Sequence, residues 1–288
     1  MTKGSQHPSA AAAGTVLLGD MVVHRLGYGA MRITGKGVWG EPDDPEEAKR
    51  VLRRAIDLGV DLIDTADSYG PRISERLIAE ALHPYPEDLV VATKGGYTRP
   101  GPGDWEPDGR PEHLRRACEG SLQRLRLDRI DLYQLHTPDD DVPYAESVGA
   151  LKELQFEGKI RWIGVSNVSL DQLETARGLV EVVSVQNRFN LKDRRHEKVL
   201  DRCAELGIGF IPWFPLGAGN LAEGGGAPAE IAEAHGATAA QIALAWLLAR
   251  SPVMLPIPGT SRVEHLEQNV AAAGIELAEE EVRRLGGR

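Results

Sequence analysis

Short apolar runs alternate along the chain with longer segments in which apolar residues recur every three or four positions. The run LVVAT at 89–93 has the length of a buried strand, whereas DPEEAKRVLRRAIDLG at 44–59 places its apolar residues on one side of a helix. Asp44 suits the N-cap of that helix, Pro45 suits its first position, and Gly59 suits the position after its end. The pattern therefore predicts strands that alternate with amphipathic helices.

The same alternation occurs eight times. The predicted strands are 24–29, 60–65, 89–93, 130–135, 160–165, 182–186, 208–213 and 253–257. The predicted helices are 44–59, 73–82, 111–125, 144–155, one opened by a Ser169/Gln172 capping box, 195–206, 237–249 and 262–273. Eight β/α units in 288 residues favour an α/β fold of the closed (β/α)8 TIM-barrel type over an open doubly wound sheet.

The segments outside these units have predicted roles of their own. TVLLGDMVVHRL at 15–26 is typical of a β-hairpin that turns at Gly19-Asp20, and it could close the bottom of the barrel. Residues 1–14 are expected to be a flexible N-terminal tail, and residues 15–288 a single barrel domain. The last segment, IELAEEEVRRLGGR, is expected to add a short C-terminal helix.

Composition narrows the classes of function. The net charge is −10 and no long Lys/Arg run occurs, which argues against nucleic acid or an anionic membrane surface as a partner. No run approaches the roughly 18 apolar residues of a membrane span. Only Cys118 and Cys203 occur, so neither a disulfide framework nor a cysteine zinc site is indicated, no metal is expected, and a reducing cytoplasm fits best.

Polar residues stand where the predicted strands end. In a barrel the carboxyl ends of the strands converge on one mouth, where barrel enzymes do their chemistry. The strand ends carry Asp64, Lys94, His136, Ser166, Asn167, Gln186, Trp213 and the segment 259–261. Burying such groups is costly without a function, and Tyr69 is close enough in the chain to fold over the same mouth.

These side chains suggest acid catalysis on oxygen. A phenol with a pKa of ~10 donates a proton poorly at neutral pH, and the Lys94 ammonium is expected to lower the pKa of Tyr69. Asp64 would keep Lys94 charged, and His136 could donate a hydrogen bond to a substrate oxygen. When a proton is delivered to a substrate oxygen, a second group must usually deliver an atom to the adjacent carbon. The natural candidate is the hydride of a nicotinamide cofactor. Asp67 is expected to be solvated or to form a turn.

Several long motifs together resemble those of the aldo-keto reductases. They are IDTADSYG, ATKGG, IDLYQLHTP, IGVSN, SVQNRFN, FPLGAG and IPGTSRVEHLEQNV, in the order and spacing of that family over residues 22–275. The resemblance implies that Asp64, Tyr69, Lys94 and His136 form a catalytic tetrad, with Tyr69 the general acid in carbonyl reduction. It also implies a small-molecule aldehyde or ketone as substrate.

The cofactor assignments rest on the same resemblance. The implied binding residues are Met31, Arg32, Ser166, Asn167, Gln186, Trp213, Leu216, Gly217, Gly219, Gly259, Ser261, Arg262, His265, Gln268 and Asn269. NADPH is favoured over NADH, because Arg262 puts a fixed positive charge at a helix N-terminus, where Ser261 and Glu264 are expected to form a capping box. Gln268 and His265 depart from the residues frequent in the family.

Other interpretations stay open at this point. Asp64 and Lys94 could form a purely structural ion pair, and the chain could be an NADP(H)-binding regulatory barrel with little turnover. A barrel hydrolase or lyase is a third candidate, although it leaves Ser166, Asn167 and Gln186 unexplained. The GxGxxA pattern at 217–222 lacks the helix and the distant acid of a Rossmann loop.

The loop at 95–111, with Tyr97 and Trp105, suggests aromatic walls around the substrate. The oligomeric state is not predicted.

Overall fold

The elements of the fold alternate along the chain as the sequence pattern predicts. The computed structural model describes residues 9–217 and 226–286. Within these stretches the strands are β1 (Thr15–Leu18), β2 (Met21–His24), β3 (Tyr28–Gly29), β4 (Leu62–Asp64), β5 (Val90–Gly95), β6 (Tyr97–Thr98), β7 (Glu106–Pro107), β8 (Ile130–Leu135), β9 (Ile160–Ser166), β10 (Val182–Gln186) and β11 (Gly209–Phe210). The α-helices are α1 (Pro45–Asp57), α2 (Ile73–Leu82), α3 (Pro111–Leu125), α4 (Tyr144–Phe156), α5 (Leu170–Arg177), α6 (Glu197–Leu206), α7 (Ala227–Ala234), α8 (Ala239–Arg250), α9 (Val263–Ala271) and α10 (Glu279–Gly286).

Seven strands form one curled parallel sheet in the spatial order β11, β10, β9, β8, β5, β4, β3. The eighth predicted strand, 253–257, lacks a regular ladder but fills the gap between the first and last strands. The Phe210 amide donates to the Val253 carbonyl at 2.8 Å, and the Gly27 amide donates to the Pro256 carbonyl at 3.0 Å. Pro256 has no N–H to donate and prolines flank the segment on both sides, which explains the irregular pairing that closes the TIM barrel.

Helix ends follow the local sequence in most units. The Asp44 side chain caps α1 by accepting from the Glu47 amide at 2.9 Å, and Gly59 takes a φ of +78° beyond its end. The Ser169 capping box opens α5 as predicted. The capping box predicted at Ser261 is wrong: Arg262 is the N-cap of α9, and its own side chain makes no capping hydrogen bond.

The N-terminal hairpin of β1 and β2 closes one end of the barrel. Leu18 packs in one cluster with barrel-interior residues such as Leu132, and it fills the space left by the missing side chain of Gly209. A Cβ on Gly209 would lie 2.3 Å from a Leu18 methyl carbon. The predicted hairpin and its turn at Gly19 are therefore present, and the hairpin supplies part of the interior packing.

Part of the predicted N-terminal tail is folded. Residues 1–8 lie outside the described residues, but Ala10–Ala13 form a 3₁₀ helix capped by Ser9. Ala10 is fully buried, and its amide donates to the carbonyl of Leu58 at 2.9 Å. The packed part of the chain thus begins before residue 14, because a small apolar run fits against the end of α1. Within the described residues, no helix is long and apolar enough to cross a membrane.

Leu18→Ala tests how much the hairpin contributes to the barrel core. We expect the free energy of unfolding to fall by about 2–5 kcal/mol, because the fully buried side chain leaves a cavity among rigid strands. Leu17→Ala is the matched control, since Leu17 is 55% exposed and should change stability by less than about 0.5 kcal/mol. Urea unfolding followed by circular dichroism measures both, and equal effects would contradict the interior role of Leu18.

Candidate active site

A buried ion pair forms the floor of the barrel mouth. Lys94 Nζ, at the end of β5, lies 2.7 Å from Asp64 Oδ2, at the end of β4, and neither side chain is more than 2% exposed. Lys94 Nζ also donates to the Thr65 carbonyl at 2.8 Å. Asp64 Oδ1 accepts from Gln186 Nε2 at 2.8 Å and from Gln134 Nε2 at 3.2 Å. Every polar atom of the pair is thus held by the protein.

The Tyr69 hydroxyl is the third hydrogen-bond partner of the Lys94 ammonium. The third proton of the ammonium points to the Tyr69 hydroxyl, with Nζ and the oxygen 3.4 Å apart. Burial raises the pKa of Tyr69; the Lys94 charge opposes this shift and the Asp64 charge adds to it. The net shift is upward, so the expected lowering of this pKa is wrong for the unliganded site. Burial alone would lower the pKa of Lys94, but Asp64 raises it overall and keeps the ammonium charged.

His136 lies beside Tyr69 just beyond the end of β8. Its ring centroid is 5.8 Å from that of Tyr69, and the Ser68 hydroxyl is 3.4 Å from its Nδ1. Burial, with a smaller contribution from the Lys94 charge, holds the pKa of His136 well below its ordinary value. The imidazole is therefore neutral, and its role is that of a hydrogen-bond donor or acceptor with no charge of its own.

The tetrad faces a cavity of about 590 Å³ at the mouth of the barrel. Asp64, Tyr69 and His136 line it, whereas Lys94 lies beneath them. Its mostly apolar wall is completed by Gly29, Met31, Arg32, Val38, Tyr97, Trp105, Ser166, Asn167, Trp213, Phe214, Pro215, Leu216, Ile257, Pro258 and Gly259. A cavity of this size and polarity is typical of small-molecule and cofactor sites.

Seven of the residues predicted to bind the cofactor line this cavity, and three of them are joined by hydrogen bonds. Asn167 takes a left-handed φ of +59°, and its Nδ2 donates to the His136 carbonyl at 3.0 Å. The Trp213 indole N–H donates to Asn167 Oδ1 at 2.9 Å, which fixes the indole beside the cavity. The Ser166 hydroxyl donates to the Gln186 carbonyl at 2.7 Å. Gln186 itself lies below the wall, because its amide is used on Asp64.

The remaining predicted residues lie away from the cavity wall. Ser261, Arg262, His265 and Gln268 are exposed around the start of α9, and Asn269 is buried. Gly217 follows the wall residue Leu216, and Gly219 lies outside the described residues. The carboxylate of Glu47, on α1, already accepts from the Val263 amide at 3.3 Å. The N-terminus of α9 therefore combines an exposed arginine with an acidic neighbour that the sequence did not reveal.

Sequence reasoning missed several residues of the site. Gln134 was not predicted, although a glutamine inside the apolar strand IDLYQL is itself a signal of a buried polar role. Val38 and Phe214 reach the wall from loops, where no periodicity could indicate their direction. In the described part of the chain, no group of three His, Cys, Asp or Glu side chains is placed to hold a metal ion.

Asp67 lies in a turn, as one of the two expectations had it, and is partly rather than fully exposed. Its Oδ1 is buried and has no hydrogen-bond partner. Burial, reinforced by the Glu75 carboxylate, raises the pKa of Asp67 to about 8. Glu75 is fully buried and bonded to Arg124 Nε at 2.6 Å and to the Thr93 hydroxyl at 2.6 Å. Asp67 thus lies between the tetrad and a second buried charged network.

Comparison with known proteins identifies the family. A sequence profile described as the Aldo/keto reductase family matches residues 25–287. The chain belongs to this family. It is 49% identical over 284 residues to an uncharacterized oxidoreductase of Schizosaccharomyces pombe, covering 99% of this chain and 92% of the relative. It is 42% identical over 282 residues to the pyridoxine 4-dehydrogenase of Escherichia coli, covering 96% of this chain and 98% of that enzyme.

Solved structures of family members share the fold. An aldo-keto reductase from Klebsiella pneumoniae, crystallised in complex with NADPH, superposes with a TM-score of 0.78 and 29% sequence identity. The match covers 92% of this chain and 90% of the other. The likeness extends over nearly the whole barrel and so supports the expected (β/α)8 architecture of the family.

Asp67→Asn tests the buried position of this carboxyl. A folded-state pKa of about 8, against an ordinary 3.8, means that the folded protein keeps a proton that the unfolded chain loses. The free energy of unfolding of the parent protein should therefore fall as pH rises from about 4 to 8. In Asp67→Asn this fall should be smaller, by on the order of 1–3 kcal/mol. Urea unfolding at pH 5 and pH 8 measures the difference.

Asp43→Asn is the control for this experiment, because Asp43 is exposed in the loop before α1. It should leave the pH dependence of unfolding as it is in the parent protein. A parallel pH dependence in the parent protein and in Asp67→Asn would show that Asp67 titrates in an ordinary, solvated environment.

Proposed function

We propose that this protein is an NADPH-dependent reductase that converts an aldehyde or ketone to the alcohol, with Tyr69 as the general acid. The observation that carries the proposal is the set of three contacts of Lys94. Its ammonium lies 2.7 Å from Asp64 and 3.4 Å from the Tyr69 hydroxyl, beneath a cavity that a small carbonyl compound could enter. A purely structural ion pair would not require a phenol as its third partner.

The proton step follows from this geometry. Tyr69 is protonated in the resting site, since burial raises its pKa, and it can therefore donate to a carbonyl oxygen. As the phenolate develops, the adjacent Lys94 charge stabilises it more strongly than it stabilises the neutral phenol. Neutral His136 can donate a second hydrogen bond to the same oxygen. In alcohol oxidation the same groups run in reverse, with Tyr69 as the base.

The residues around the cavity fit a nicotinamide cofactor. NADPH, when bound, supplies the hydride that the carbonyl carbon receives. Asn167 holds the Trp213 indole at 2.9 Å, so a rigid aromatic surface borders the space next to Tyr69. Arg32 lies on the same wall and Arg262 is exposed beyond it, so both could meet phosphate groups. The Klebsiella relative crystallised with NADPH adds support from the family.

The substrate class can be narrowed through the Escherichia coli relative named pyridoxine 4-dehydrogenase. Oxidation of pyridoxine at its 4-position gives the aldehyde pyridoxal, so we propose pyridoxal as the first carbonyl compound to test. The identity of 42% extends over nearly the whole of both chains. A wall that contains Tyr97 and Trp105 suits a flat pyridine ring.

Tyr69→Phe tests the catalytic assignment. We expect kcat for pyridoxal reduction to fall by about 10²–10⁴-fold, because the proton donor is lost while the ring still fills the same space. The binding of NADPH, measured by the fluorescence of the cofactor, should change little. Turnover is followed by the loss of nicotinamide absorbance under saturating cofactor.

Tyr97→Phe is the matched control, since Tyr97 lines the same cavity but makes no contact with Lys94. It should keep kcat within a few fold of the parent value. Equal activity of Tyr69→Phe and the parent protein would refute the mechanism. Tight binding of NADPH without turnover of any aldehyde would instead favour a regulatory barrel.

Arg262→Ala tests the preference for NADPH. Loss of a charge-assisted contact to the 2′-phosphate should raise the KM for NADPH about 10–100-fold and leave the KM for NADH nearly unchanged. Arg283→Ala on α10 removes an equally exposed arginine elsewhere and serves as the control. Parallel changes for the two cofactors would mean that Arg262 does not contact the group that distinguishes them.

A further inference from the structure

Arg99 lies in the loop between β6 and β7 and holds three separate loops together. Its Nε donates to the Asp104 carbonyl at 2.8 Å within its own loop. Its Nη1 donates to the Val38 carbonyl at 3.2 Å, in the loop after β3, and to the Ser68 carbonyl at 3.0 Å, in the catalytic loop. One side chain therefore ties the substrate-side loops to the residue that precedes Tyr69.

The same guanidinium packs on two indole rings. Its central carbon lies 3.7 Å from the ring centroid of Trp105 and 5.5 Å from that of Trp39. The Trp105 ring in turn lies 6.3 Å from the Tyr69 ring and 6.4 Å from the His136 ring. Trp105 thus lies between Arg99 and the side chains of Tyr69 and His136.

The environment of Arg99 is unusual for a cation. The residue is only 9% exposed, and within the described residues its side chain forms no ion pair with a carboxylate. Three backbone carbonyls and two indoles surround the guanidinium, the Asp104 carboxylate attracts it without forming an ion pair, and Nη2 is buried with no hydrogen-bond partner. Burying a cation without a direct ion pair is unfavourable unless its other contacts are well placed. The interactions of Arg99 therefore depend on the arrangement of all three loops at once.

The backbone alone gives this part of the wall little support. The β6 and β7 strands pair over only two residues each, and Pro107 in that ladder has no N–H to donate. Loops of this length on the mouth of a barrel usually move more than the strands that carry them. A flat guanidinium with donors pointing in several directions can fix them, which a lysine with one nitrogen cannot do.

We propose that Arg99 is a positioning residue that assembles the aromatic wall of the substrate cavity, holding Trp105 beside Tyr69 and His136 so that the site prefers carbonyl compounds on a flat ring. Arg99 does not line the main cavity, whereas Trp105 does, so its effect on the substrate passes through the indole. The preference for a flat ring rests on the proposed reductase function; the positioning of Trp105 does not.

The kinetic test compares two aldehydes of similar size, benzaldehyde with a flat ring and cyclohexanecarboxaldehyde with a puckered one. Arg99→Met and Arg99→Lys should each raise the KM for benzaldehyde about tenfold, with a change of less than about threefold for cyclohexanecarboxaldehyde. The dissociation constant of NADPH should be unchanged. Arg110→Lys is the control, because the exposed Arg110 lies just after β7 and bonds to Asp108, away from Trp105 and the loops that Arg99 joins.

Two further variants separate positioning from general damage to the fold. Trp105→Leu should reproduce the selective loss for benzaldehyde, and the Arg99→Met/Trp105→Leu double variant should be no worse than either single one. Additive losses, or equal losses for the two aldehydes, would overturn the proposal. So would a parent-like KM for benzaldehyde in Arg99→Met.

A fluorescence measurement keeps the proposal testable whatever the reaction turns out to be. Acrylamide should quench more of the tryptophan emission in Arg99→Met than in the parent protein, because Trp105 is released from the guanidinium. The increase should vanish when Trp105 is also replaced. If the parent protein reduces neither of these aldehydes nor pyridoxal but this increase occurs, the proposed reductase function fails while the positioning role of Arg99 stands; without the increase, the positioning role fails.

Discussion

The site depends on burying the opposite charges of Lys94 and Asp64 at the bottom of one cavity. Two ions removed from water are stable only when their attraction is joined by hydrogen bonds to the remaining polar atoms. Here Gln134, Gln186 and the Thr65 carbonyl supply those bonds. These partners come from different strands, so the pair is satisfied only when the parallel register of the barrel is correct. Lys94 is the direct neighbour of Gln134 across the β5–β8 ladder.

The loop that carries Tyr69 is held between two buried charged networks. On one side the ion pair of the tetrad fixes the position of Tyr69, and on the other Glu75 is bonded to Arg124. Asp67, between them, has a pKa raised to about 8 by burial and by Glu75, so it carries a proton near neutral pH. A third carboxylate at this point would be repelled by Glu75.

Local sequence signals were sufficient for most of the fold. The bounds of α2, α3, β8 and β10 agree with the predicted ones, because each has an apolar pattern of clear length. Asp64, Lys94 and His136 were predicted at strand ends and do lie together, since a parallel barrel brings its carboxyl ends together regardless of detail. The irregular segment 253–257 was harder, because proline removes the hydrogen bonds that define a strand while the chain still fills its place.

Long-range contacts account for what sequence reasoning could not supply. Gln186 was expected at the cofactor, and no local pattern indicated that its Nε2 donates to Asp64, 122 positions earlier in the chain. The direction of the Tyr69 pKa shift was wrong because the sequence showed the nearby ammonium and not the degree of burial. Asp67 lies in a turn, as one of the two expectations had it, but the burial of its Oδ1 atom was not foreseen. In each case the deciding quantity is a distance or an exposure that only the closed barrel determines.

Different kinds of contact hold the two sides of the cavity in place. A reaction class is therefore easier to infer than a substrate. On the side of Ser166 and Asn167, the wall consists of strand ends and of an indole fixed by Asn167 Oδ1. On the opposite side, Trp105 depends on Arg99 and on carbonyls from three loops. Strand ends are constrained by the whole sheet, so substitutions there disturb the fold. Loop contacts are constrained only by one another, so a change in the loops can alter the shape of this wall and leave Tyr69 in place.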